Sequence, residues 1–196
     1  MADSTPKKQT VKKSISDRRK QLRVQLWPDV DESSLWLRKQ RQGFTTIPRT
    51  MNLIGRIMDH YSGKGFPLQQ TYLTLWCWVF DEGIVEIRNP REFAFEAGFS
   101  GARGEVTWRG RMRRLQELGF IDAKPGLTGE FQFVLLLNPF LTIAKLYADQ
   151  PKDVAYNALL SRMAQVGASD LDLQPVENAS PRRISKFERL EDDDEL

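Results

Sequence analysis

With 196 residues, 40% hydrophobic and 28% charged, the chain is long enough for one domain with a core and tails, or a domain and a half. One cysteine and one histidine exclude an internal disulfide and leave a zinc site or a Ser-His-Asp triad almost nothing to draw on. The net charge of +3 conceals segregation: basic residues dominate the N-terminal arm and one later helix, while acids crowd the last residues. There is no apolar run of about 18 residues and no apolar signal-like start, so the expectation is a cytoplasmic protein with no membrane partner.

Residues 1–15 read as a disordered basic arm with Lys7, Lys8, Lys12 and Lys13 and no large core residue. Residues 16–45 read as a basic helix and connector. Ser16 caps DRRKQLRVQLW, which sets Arg18, Arg19, Lys20 and Arg23 beside Leu22, Val24, Leu26 and Trp27, and Pro28 stops it. Two readings of this arm stand side by side: a solubilising tail with a docking helix, or a phosphate-tracking basic segment.

A core region is expected over 46–147. Its first helix has Pro48 in the first turn and Leu53, Ile54, Ile57, Met58 and Tyr61 on its apolar face, with Gly63 ending it. His60 near that end reads as structural or solvent-exposed. Pro67 opens LQQTYLTLWCWVFDEG, apolar almost all round, which makes it central to the core, with Trp76, Trp78 and Phe80 packed and Cys77 a buried structural thiol.

The stretch from Ile84 to Leu137 gives these helices their setting. IVEI is a strand. Asn89 caps a short helix that has Pro90 at its first position, Glu92 three after the cap, and Phe93, Ala94, Ala97 and Phe99 on its apolar face. Gly98 supplies a sharp turn and Ser100 caps the next helix, expected over 101–118. Projected at about 100° per residue, Trp108, Met112, Leu115 and Leu118 form one buried stripe. Arg103, Thr107, Gly110, Arg113 and Arg114 fall opposite, with Arg109 at the margin and only Glu105 and Glu117 opposing the charge. Gly119 ends the helix, and Phe120 and Ile121 start a strand. Pro125 to Gly129 turn it, and Phe131, Phe133, Leu135 and Leu137 alternate along the return strand.

Strand, helix, turn, helix and hairpin, preceded by an apolar helix, resembles the winged helix-turn-helix of DNA-binding proteins over roughly 67–137. The chain is also similar to a type of protein met on bacterial plasmids. The resemblance implies an α+β, mostly α, fold with a winged helix-turn-helix core. It also implies a function: binding double-stranded DNA as a transcriptional repressor or a regulator of plasmid replication or maintenance. Helix 101–118 would lie in the major groove, with Arg103, Thr107, Arg113 and Arg114 at base edges or nearby phosphates and Arg109 and Ser100 on the backbone. Lys124 in the wing and the arm residues Lys12, Lys13, Arg18 and Arg19 would add sequence-independent contacts.

After the hairpin, Asn138 and Pro139 begin FLTIAKLYADQ. Pro151 or Asp153 begins a C-terminal helix within 148–167, with Val154, Leu159, Met163 and Val166 on one face. This C-terminal pair either packs on its own chain or makes a homodimer. Residues 168–196 read as a disordered tail whose acidic end, Glu191 to Glu195, suits a protein partner or a basic face. No phosphate-binding loop, dinucleotide fingerprint, metal cluster or catalytic constellation is present, so neither a cofactor nor enzymatic activity is expected. A protein-binding adaptor in a nucleoprotein or defence complex is the alternative to DNA binding.

Overall fold

A computed structural model describes residues 15–171 of the chain. It is α+β and mostly helical, with seven α-helices and a three-stranded antiparallel sheet among the described residues. The chain divides into two compact units at 44/45. Lys12, Lys13 and the acidic end lie outside the described residues.

In the first unit, α1 spans Ile15–Leu26 and ends just before Pro28, whose ring and missing N–H cannot continue a helix. Two single turns of 3-10 helix follow at Glu32–Ser34 and Arg38–Gln40. Arg23 pairs with Glu32, and Trp36 meets Phe44 edge-on at 6.1 Å.

The second unit holds the core. Helix α2 (Met51–Ser62) buries Ile54, Ile57 and Met58 on the expected face and ends at Gly63, whose φ of 100° suits glycine. Helix α3 covers Gln69–Trp78. Its start is fixed by another element: the Asp59 carboxylate of α2 accepts from the backbone N–H of Leu68 at 2.6 Å and Gln69 at 3.0 Å. At Gly55 a side chain would strike the Gln69 side chain of α3 at 2.5 Å, so glycine leaves room for Gln69 to lie over α2.

Strand β1 (Ile84–Glu86) leads to α4 (Pro90–Glu96) and then α5 (Gly104–Glu117). Strands β2 (Ile121–Gly126) and β3 (Gly129–Leu136) form the hairpin. The sheet order is β1-β3-β2, with Ile84 opposite Leu135 and Ile121 opposite Leu136. Trp108 of α5 sits in the core between Phe93 and Phe131, and Tyr72 meets Phe120. Helices α6 (Pro139–Leu146) and α7 (Val154–Val166) follow, capped by Asn138 and Asp153.

Several expectations are corrected. Helix α5 begins at Gly104, not 101, and Ser100 does not cap it; Arg103 is the cap and makes no side-chain capping bond. Positive φ at Gly98 and Gly101 lengthens the connecting turn, and Gly104 packs where a side chain would come within 2.8 Å of the Phe99 carbonyl. Trp78, Cys77 and Phe80 are exposed because α3 ends at Trp78 and the chain turns extended at Val79. Along β3, Phe131 and Val134 are buried while Phe133 and Leu135 are exposed. The pairing register shifts beside Lys124 and Gly126, and this bulge reverses the alternation read from the sequence. In α7, Leu159 and Met163 are buried and the helix packs on α2, so this stripe is occupied within the chain while Val154 stays exposed.

Candidate nucleic-acid interface

Helix α5 is oriented by what it buries. Gly104, Trp108, Met112 and Leu115 face the core, as the 3.6-residue period requires. Arg111 joins them, which the sequence reading missed. Its guanidinium lies 3.5 Å from the Phe66 ring centre and 5.8 Å from that of Phe99, and it donates to the Gly65 carbonyl at 3.4 Å. Desolvation pulls its pKa down, against the opposing pull of the Asp59 carboxylate. Arg111 therefore ties α5 to the loop before α3. The signal was in the spacing, since 108, 111, 112 and 115 make one helical stripe.

The crest of α5 on the opposite side is Val106, 70% exposed, and Arg113, whose side chain is 57% exposed. These are seven residues apart and so share a face two turns along. Arg109 lies beside them, half-buried. Its guanidinium donates to Glu105 at 2.8 and 3.1 Å and stands 3.8 Å from Glu130. Arg113 donates to both oxygens of the same Glu130, at 2.6 and 3.3 Å. Glu130 belongs to β3, so one carboxylate joins two arginines of α5 to the hairpin. Gly129 is needed here, because a side chain would meet the Arg109 guanidinium at 3.0 Å and its φ is 131°.

The structure thus brings Arg109 and Arg113 together and separates the other expected residues. Arg114 turns away, donating to the Tyr61 carbonyl at 2.8 Å and to Glu117 at 2.9 Å. A cation there complements the C-terminal end of α2. Thr107 returns its hydroxyl to the Arg103 carbonyl at 3.0 Å. Gly110 faces Phe66, 3.6 Å from where its own side chain would be, so the close approach it permits is to this ring. Ser100 and Arg103 are exposed at the start of α5. Lys124 is exposed opposite Phe133 and lies 3.8 Å from Asp122. Arg18 and Arg19 are exposed on α1 in the first unit.

Three carboxylates, Glu105, Glu117 and Glu130, oppose the arginines of this surface; the helix alone showed two. The exposed Arg113–Glu130 pair contributes about 0–1 kcal/mol, so it exchanges readily for another anion. The surface can donate paired N–H groups to a phosphate or a guanine edge. Among the described residues no group of His, Cys, Asp and Glu is placed to hold a metal ion, and no helix is long and apolar enough to cross a membrane. Comparison with protein families, curated proteins and solved structures found no match.

Proposed function

We propose that the chain is a double-stranded DNA-binding protein of the winged helix-turn-helix type, with α5 in the major groove and the β2–β3 hairpin as the wing. The observation that carries this reading is the division of α5: one side buried to the last atom of Met112 and Leu115, the other presenting Arg113 and Arg109 beside a hairpin. The order α3, β1, α4, α5, β2, β3 and the sheet order β1-β3-β2 also support it. Arg113 is the proposed base reader, Arg109 positions the wing, and Ser100 and Arg103 approach the backbone. Arg114 and Thr107 support α5 from its other flank. The proposed role is transcriptional repression or control of plasmid replication or maintenance.

A second reading keeps the fold and changes the partner. The pairing of crest arginines with carboxylates lowers the positive field that draws in DNA, which favours a protein-binding adaptor.

Sequencing DNA recovered by the full chain from sheared genomic fragments at near-physiological salt separates the two. A recovered motif supports the groove reading. Arg113→Ala should then cost about 1–3 kcal/mol and relax one position of the motif. Unchanged binding by an Arg109→Ala/Arg113→Ala variant sinks the assignment of α5, and no recovered DNA favours the adaptor.

A further inference from the structure

The outer face of the sheet carries apolar side chains that the second unit leaves exposed. The strand register defines this face row by row. Across the first row stand Ile84, Leu135 and Asp122; across the second stand Glu86, Phe133 and Lys124. Ile84, Phe133 and Leu135 are all exposed, whereas Val85 and Val134, pointing the other way, are buried. Trp78 and Phe80 border Ile84 and Phe133 in a shallow groove of about 560 Å³, and Phe80 is 86% exposed. A contiguous apolar surface with a charged rim marks a contact site.

We propose that this face is a two-fold interface with a second copy of the same chain. The charge order of the second row is the reason: carboxylate, aromatic ring, ammonium, with the ring on the central strand. A two-fold axis lying between two such sheets, parallel to β3, exchanges the β1 side of one copy with the β2 side of the other. Phe133 and Leu135 then meet their own counterparts near the axis, and Glu86 of each copy stands opposite Lys124 of the other, twice over. The same rotation carries Phe80, beside β1, over the second copy's β2.

The local chemistry permits this. Glu86 bonds Arg88 at 2.8 Å and Lys124 stands 3.8 Å from Asp122, both exposed pairs that can exchange. Asp122, which the rotation would set against Ile84, already accepts from the Ala123 N–H at 2.9 Å and Gln116 at 3.4 Å, which holds it toward its own chain. An unrelated partner would have no reason to match a row that is complementary to itself. The proposal stands whether or not the chain binds DNA, and it takes Lys124 from the DNA backbone to the dimer.

The test is sedimentation equilibrium of the full chain from about 1 to about 100 µM. The expected result is a monomer–dimer equilibrium. Phe133→Glu, and separately Phe80→Ser at a site too exposed to affect folding, should shift it to monomer. Glu86→Lys and Lys124→Glu should each weaken association by about tenfold, and the double exchange should return it to within about threefold of the native value. A monomer at every concentration overturns the proposal. So does a dimer that none of these changes weakens, or charge exchanges that fail to restore each other.

Discussion

The two faces of the small sheet are both apolar, yet they occupy opposite environments. Val85, Val134 and the neighbouring Ile87 lie within a core built by α2, α3 and α5, and almost no solvent reaches them. Ile84, Phe133 and Leu135, one position away along the same strands, lie exposed beside Glu86 and Lys124. Removing apolar area from water stabilises a fold only where a surface exists to cover it. The inner face has one within the chain. Among the described residues the outer face has none, and its exposed area is available for association.

Truncating one side chain on each face and reading stability by denaturant titration tests this difference directly. Ile87→Ala on the inner side should cost about 2–5 kcal/mol, since it removes transfer energy and leaves a cavity. Leu135→Ala on the outer side should stay within about 0.5 kcal/mol when the chain is dilute, as surface changes do. Equal costs would mean that the outer face is covered after all.

A smaller effect is expected where α5 meets the turn before it. Gly104→Ala places a methyl within 2.8 Å of the Phe99 carbonyl, and backbone is slow to yield. It should destabilise by about 1–3 kcal/mol and disturb the presentation of Val106 and Arg113. Stability unchanged in this variant would show that the turn relaxes to admit the methyl.

A cost of about the same order or less is expected at Asp153, the cap of α7. Its carboxylate accepts from the Tyr156 N–H at 2.8 Å and from the Tyr147 hydroxyl at 2.9 Å, and these bonds hold its pKa below the ordinary 3.8. A depressed carboxylate stabilises the fold above its unfolded value and loses that contribution as pH falls through the folded one. Asp153→Ala should cost about 1 kcal/mol near neutral pH. The gap between variant and native chain should close as pH drops below 3.8. A gap that persists in acid would assign the effect to packing.

Much of the local structure was legible in the sequence, because local signals set it. The period of 3.6 gave the buried stripe of α5, and Trp108, Met112 and Leu115 fill it. Asn138 and Asp153 cap the helices they precede, through short-range bonds from side chain to backbone. The order of elements from α3 to β3 followed from the same local reasoning. Arg113 could be placed on the outward crest for the same reason.

What tertiary structure alone decided involves residues distant along the chain. Asp59 fixes the start of α3 from the preceding helix, and Glu130 of β3 takes up the charge of Arg109 and Arg113. Arg111 lies between the rings of Phe66 and Phe99, and Arg114 serves the end of α2. The faces of β3 were exchanged by a single bulge, since a period of two reverses when the register slips. Periodicity gives the spacing of a pattern within one element, but its phase against the rest of the protein is set only when the elements pack.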